Sequence, residues 1–151
     1  MKLTEDRLDC PKGFRACGIA SGLKPDGERD LAVIAADTPA AAAGMFTTNR
    51  VQAAPIQVNR EHLQNGQAQA IVANSKNANA CTGRQGLADA RRTASLTGDL
   101  LGIPASNVLV NSTGVIGVPM PMDRIEAGLP VAAKALSPEG WDDAAAAIMT
   151  T

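Results

Sequence analysis

Residues 107–121, Asn-Val-Leu-Val-Asn-Ser-Thr-Gly-Val-Ile-Gly-Val-Pro-Met-Pro, decide how this chain is read. Val108, Leu109 and Val110 are three successive apolar residues, two of them β-branched, which predicts a buried strand. The character then changes abruptly at Asn111-Ser112-Thr113-Gly114. Small hydroxyl residues and a glycine let the backbone turn sharply and leave N–H groups outside any ladder. Two such donors, the Thr113 hydroxyl and the Gly114 amide, suit a developing negative oxygen. A plain strand-ending turn accounts for the same four residues, so the case for chemistry rests on the rest of the chain.

Upstream, residues 84–101 place Leu87, Ala90, Ala94 and Leu101 along one side of a predicted helix that Gly102 and Pro104 end. Residues 74–83, Asn-Ser-Lys-Asn-Ala-Asn-Ala-Cys-Thr-Gly, form a loop rich in groups that bond their own backbone, with Thr82 as the expected cap of that helix. A buried strand over 68–73 precedes it. A short helix is expected over 60–64, and Pro55 opens a period-2 strand at Ile56-Gln57-Val58. Residues 40–46 read equally as helix or strand. Strands over 14–20 and 31–36 flank a hairpin turn at Lys24-Pro25-Asp26-Gly27. Residues 1–13 are polar and read as a flexible arm, leaving 14–151 as a single domain. Downstream, Pro119 and Pro121 forbid a regular central strand. Asp123 is placed to cap a helix over 124–136, with Pro130 as its one candidate break, and Ser137-Pro138 to start a last helix reaching Met149. The sum is a mixed α/β fold whose sheet is covered by the helices near 84–101 and 121–149.

A chain of 151 residues typically buries about 68–70% of its unfolded surface, enough for a sizeable core. With only 2% aromatic residues, that core must come from Ala, Val, Ile and Leu, and small side chains each bury little area. A partner that completes the core is therefore expected. The net charge of −1 and the lack of a basic stripe argue against nucleic acid. Cys10, Cys17 and Cys81 form no CxxC pair and His62 is the single histidine, so no metal site is expected. An odd cysteine count suits a reducing compartment, the charged start does not resemble a signal peptide, and no apolar run is long enough to span a bilayer. These features place the protein in the cytoplasm, off the membrane. Gly114-x-x-Gly117 is neither a dinucleotide fingerprint nor a P-loop. His62 reads as a surface helix residue and Cys81 as a small buried thiol. Asp142 and Asp143, at adjacent helical positions, point apart and complement the helix dipole as first-turn acids.

Four ordered segments alter this picture: Met45-Phe46-Thr47-Thr48-Asn49 leading to Ala53-Ala54-Pro55; residues 74–83; Ser112-Thr113-Gly114-Val115-Ile116-Gly117 with Pro121-Met122; and Ala147-Ile148-Met149-Thr150-Thr151. Together they resemble the N-terminal portion of the ornithine acetyltransferase family, also called bifunctional glutamate N-acetyltransferase. The resemblance implies transfer of an acetyl group from N-acetylornithine to glutamate in arginine biosynthesis, with acetyl-CoA as a co-substrate in some members and no resident cofactor. It implies self-cleavage before a threonine that becomes the N-terminal nucleophile of a second, C-terminal chain and carries the acetyl group. It maps the oxyanion hole onto Thr113 and Gly114 and a substrate-binding threonine onto Thr150. It also implies a layered α/β/β/α sandwich once the second chain is added, and association of two such two-chain units.

Two departures from the family pattern are visible. Lys76 stands where the Asn-rich segment usually has glycine; a positive φ there would cost roughly 1 kcal/mol. Lys76 is either a solvated loop lysine or a partner for a substrate carboxylate. The chain also stops before the family's Lys-Gly-x-Gly-Met segment and cleavage-site threonine, so by itself it is expected to be inactive. The alternative is a non-catalytic module derived from the family that binds an amino acid or a partner chain. A reading frame continuing into those segments favours the enzyme; a stop codon after Thr151 favours the module.

Overall fold

A computed structural model describes residues 11–150. Four strands, β1 (Phe14–Ile19), β2 (Leu31–Ala41), β3 (Gln67–Asn74) and β4 (Val108–Ser112), form one sheet in the order β1-β2-β3-β4. The first two pairings are antiparallel and the third is parallel. The parallel pair requires a crossover, and α2 (Gly83–Leu101) supplies it. The remaining helices are α1 (Ala54–His62), α3 (Met122–Ala135) and α4 (Trp141–Ile148). Mixed α/β is thus the fold class.

Strand alternation divides the apolar residues between two faces. Leu31, Val33, Ala35, Ala70, Val72, Val108 and Val110 point to one face and pack with Cys17, Ala94, Ile125, Leu129 and Ala132. The opposite face carries Ala16 and Ala32, which pack against Ala144 and Ala147 of α4 beside Ile34 and Trp141. Alanine on both sides lets α4 lie close to β1. At Gly18 the approach is closest, since an added Cβ would overlap the Asp143 carbonyl. α4 covers only the β1–β2 end of this face, and Ile71 on β3 stays 37% exposed.

The antiparallel β1–β2 pair has its turn at Pro25–Gly27, as the turn residues predict. Asp30, fully buried, holds the connection: its carboxylate accepts the Ser21 N–H and hydroxyl, both at 2.7 Å, and the Lys24 N–H at 2.9 Å. The predicted strands near 14–20, 31–36 and 68–73 and the helices near 84–101 and 124–136 are all present. α3 runs through Pro130 without a break. β2 is longer than expected and ends at Ala41, and residues 42–49 have no regular structure. Of the expected arm, residues 1–10 lie outside the described residues. Residues 11–13 lead into β1, where the Gly13 carbonyl accepts the Asp37 N–H.

α3 begins at Met122, so Asp123 lies in its first turn and does not cap it; three larger expectations about the fold are also corrected. Ile56-Gln57-Val58 is helical, within α1, because the segment has a job that a strand could not perform. β4 is an edge strand, and unpaired edges invite association. The Asn59 side chain closes this edge, donating to the Val110 carbonyl at 2.9 Å and accepting the Val110 N–H at 2.8 Å. One turn later, His62 donates its Nδ1–H to the Val108 carbonyl at 2.7 Å, so it is a structural partner of β4. Helical spacing puts residues 59 and 62 on one side. The second correction concerns Ser137-Pro138, which does not start a helix. Ser137 pairs with Ala16 in both directions, at 2.9 and 3.0 Å, and α4 begins only at Trp141. Third, Cys81 is exposed, whereas Cys17 is buried and its thiol is pushed above the ordinary range by that burial.

Asn59→Ala should remove about 1–3 kcal/mol from the unfolding free energy in denaturant titration, because the Val110 N–H is left buried and unpaired. Glu61→Ala, which breaks only the exposed pair with Arg91, should change it by about 1 kcal/mol or less. A thiol reagent at neutral pH should label Cys81 rapidly and Cys17 only at the rate of unfolding, read by mass spectrometry of the digested peptides.

Candidate functional site

Because β3 and β4 are parallel, the segments that follow them leave the sheet at the same end. Their register ends at Asn74 opposite Ser112, and pairing continues beyond both strands. The Thr113 N–H donates to the Asn74 carbonyl at 3.0 Å and the Val115 N–H to the Lys76 carbonyl at 3.1 Å. The Ala78 N–H returns to the Val115 carbonyl, and the Gly117 N–H reaches the Ala80 carbonyl. Side chains add two more links: Asn77 donates to the Val118 carbonyl at 3.1 Å, and Ser112 Oγ accepts the Asn79 N–H at 2.8 Å. The Asn-rich loop therefore serves as a template for the loop after β4.

Within that template the Gly114 N–H is left over. Its neighbours on both sides are consumed, and among the described residues neither it nor the Thr113 hydroxyl has a hydrogen-bond partner. Gly114 has φ +132°, and any Cβ would overlap the Lys76 carbonyl, so only glycine fits. Both residues are exposed. Thr113 lines a cavity of about 490 Å³ with Asn111, Ser112 and the bare part of the sheet, where Ile34, Ile71 and Ala73 face Trp141 and Ile148. Gly114 is adjacent to that cavity but not part of its lining. No carboxylate, imidazole or thiol lines it. The arrangement can offer hydrogen-bond donors to a negative oxygen; it holds no nucleophile with its own base.

Thr150 lies elsewhere. It lines a second groove, of about 560 Å³, with Lys24, Glu28, Arg29, Lys76 and Met149. α4 separates the two spaces: Ala144, Ala145 and Ile148 face the cavity, while Ala146 faces the groove. The Ser75 hydroxyl donates to the Ala147 carbonyl at 2.6 Å and ties the helix to the Asn-rich loop. That loop thus touches both spaces, through Asn74 and Lys76. Lys76 has φ +77°, the left-handed conformation that glycine adopts without penalty. Holding lysine there costs roughly 1 kcal/mol.

The remaining sequence expectations resolve as follows. Thr82 does not cap α2 with its hydroxyl, which donates instead to the Asn79 Oδ1 at 2.6 Å. Asn79 passes the restraint on by donating to the Gly86 carbonyl at 2.8 Å. Asp142 and Asp143 do lie in the first turn of α4, and Asp143 pairs with Arg29 at 2.8 Å. Among the described residues no three His, Cys, Asp or Glu gather in a way that could hold a metal ion. No described helix is long and apolar enough to cross a membrane. The roles of Ser112 and Asn79 as braces were missed, because Ser112 at the end of β4 and Asn79 in the Asn-rich loop lie 33 residues apart in sequence.

Comparison with known proteins supplies the family. The ArgJ family profile matches residues 15–151. The arginine biosynthesis bifunctional protein ArgJ of Symbiobacterium thermophilum is 54% identical over 146 residues, covering 95% of this chain and 36% of that protein. Its namesake from Caldanaerobacter subterraneus is 49% identical over 151 residues, covering 100% and 37%. The chain thus spans little more than a third of the length of these relatives. Two solved structures are also similar, each 42% identical. Ornithine acetyltransferase from Mycobacterium tuberculosis, complexed with ornithine, aligns with a TM-score of 0.91 over 95% of this chain and 78% of the other. The arginine biosynthesis bifunctional protein argJ from Bacillus halodurans aligns with a TM-score of 0.86 over 93% and 73%. With the profile matching residues 15–151 and relatives of this identity, the chain belongs to the ArgJ family.

Proposed function

We propose that this chain is the oxyanion-hole half of a two-chain acetyltransferase that moves acetyl from N-acetylornithine to glutamate. The observation that carries the reading is the pair of unclaimed donors at Thr113 and Gly114, held by the 74–80 loop at the mouth of an open cavity. In this reading a C-terminal chain brings a threonine whose own N-terminal amine acts as its base. Attack on the acetyl carbonyl forms the Thr Oγ–carbon bond and moves the carbonyl electron pair onto oxygen. The Thr113 O–H and the Gly114 N–H hold that oxyanion until the ornithine amine leaves with a proton. Glutamate's amine then attacks the acetyl-threonine ester by the same path in reverse. Thr150 contacts the amino-acid substrate, and acetyl-CoA serves as an alternative donor at the first step.

Two further observations support a second chain. This chain covers 78% of the solved ornithine acetyltransferase chain but only 36–37% of the curated relatives, so the solved chain is much shorter than those sequences. The bare sheet face around Ile34, Ile71 and Ala73 adjoins Thr113 and gives a partner an apolar surface to cover. Two copies of the two-chain unit, in the cytoplasm, complete the proposed assembly.

The test is acetyl transfer from N-acetylornithine to glutamate by the chain co-produced with its C-terminal complement. Thr113→Ala should slow turnover about 10²–10³-fold, the usual effect of losing one oxyanion donor, with an unchanged melting temperature. Gly114→Ala should lower both turnover and melting temperature, since its Cβ must displace the Lys76 carbonyl. Turnover unaffected by Thr113→Ala overturns the assignment. Tight amino-acid binding without any transfer by the assembled protein favours the non-catalytic module instead.

A further inference from the structure

We propose that Lys76 is a specificity-determining residue whose ammonium binds the α-carboxylate of the amino-acid substrate in the groove it shares with Thr150. The inference rests on the proposed function for the identity of the substrate; the groove and its charges are independent of it.

Three cationic residues line the groove, and two are already committed. The Lys24 ammonium donates to the Arg29 carbonyl at 2.8 Å and the Met149 carbonyl at 2.6 Å. The Arg29 guanidinium pairs with Asp143 at 2.8 Å and donates to the Gly18 carbonyl at 3.2 Å. Lys76, among the described residues, has no ion pair and no side-chain hydrogen bond. Glu28, the one carboxylate in the lining, makes no ion pair with it. The groove therefore carries an excess of positive charge with one cation unspent, which favours an anionic group on a bound molecule.

The backbone at Lys76 adds a second reason. Its carbonyl accepts the Val115 N–H and packs against Gly114, so this residue cannot relax its φ of +77° without moving the oxyanion loop. A strained residue kept in place by its surroundings is a pointer to function. Here the strain sets where the side chain starts: next to Gly114 on one side and in the Thr150 groove on the other. Lys76 is therefore the residue that joins the Gly114 loop to the groove of Thr150, and both N-acetylornithine and glutamate bear an α-carboxylate that its ammonium can meet there.

The test is calorimetric binding of N-acetylornithine and of its α-carboxamide to the chain assembled with its C-terminal complement. Wild type should prefer the carboxylate at least tenfold, as expected for a hydrogen bond to a charged group. Lys76→Met keeps the Cβ, and hence the backbone strain, but removes the charge; it should reduce the preference to about twofold or less. Lys76→Arg should restore most of it. A preference unchanged in Lys76→Met overturns the proposal, as does weakening of both ligands equally. The readout is independent of turnover: loss of acetyl transfer in wild type refutes the proposed function, whereas loss of the charge preference tracks Lys76 alone.

Discussion

The parallel pairing of β3 with β4 is the constraint from which the site follows. Parallel neighbours cannot be joined by a tight turn, so the chain must cross over the sheet through α2 before β4 can pair. That crossover puts the exits of both strands side by side. The two exit loops then inherit the register of the strands and continue to hydrogen-bond as Asn74, Lys76, Asn77 and Ala80 meet Thr113, Val115, Val118 and Gly117. A pair of donors on a free loop would be disordered and worth little to an oxyanion; the same donors on a templated loop are held before any substrate arrives.

The helices on the sheet play unequal parts. α2 and α3 close the larger core, where Leu31, Ile125 and Leu129 supply the bulk. α1 acts at the edge, and the Asn59 amide replaces a neighbouring peptide group for Val110. α4 is light, packed through alanines against Ala16 and Ala32, and it leaves half of its face of the sheet bare. That bare half reaches Thr113, so an uncovered apolar surface adjoins the proposed chemistry.

Much of the fold was legible in the residues themselves. Alternation and apolar runs located β1, β2, β3 and β4, and the Gly102 and Pro104 signals ended α2 within a residue of its boundary. The failures share a cause. Ile56-Gln57-Val58 has strand-like alternation, but Asn59 and His62 bind β4, some fifty residues away in sequence, and only a helix presents both on one side. Ser137-Pro138 has the form of a helix start, but Ser137 finds a better use for its backbone against Ala16. Cys81 resembles a buried thiol, yet its loop turns outward at positive φ.

The sequence by itself determined the strands, the long helix, the small-residue turn at Thr113-Gly114 and the family resemblance, because each depends on neighbours close along the chain. Tertiary structure alone decided which donors stay free, since that depends on which N–H groups the Asn-rich loop consumes. It also decided that Lys76 faces the Thr150 groove with no charge partner among the described residues, while Lys24 and Arg29 are bound. Hydrogen-bond satisfaction and charge pairing are settled between segments far apart in sequence, and no local pattern encodes them.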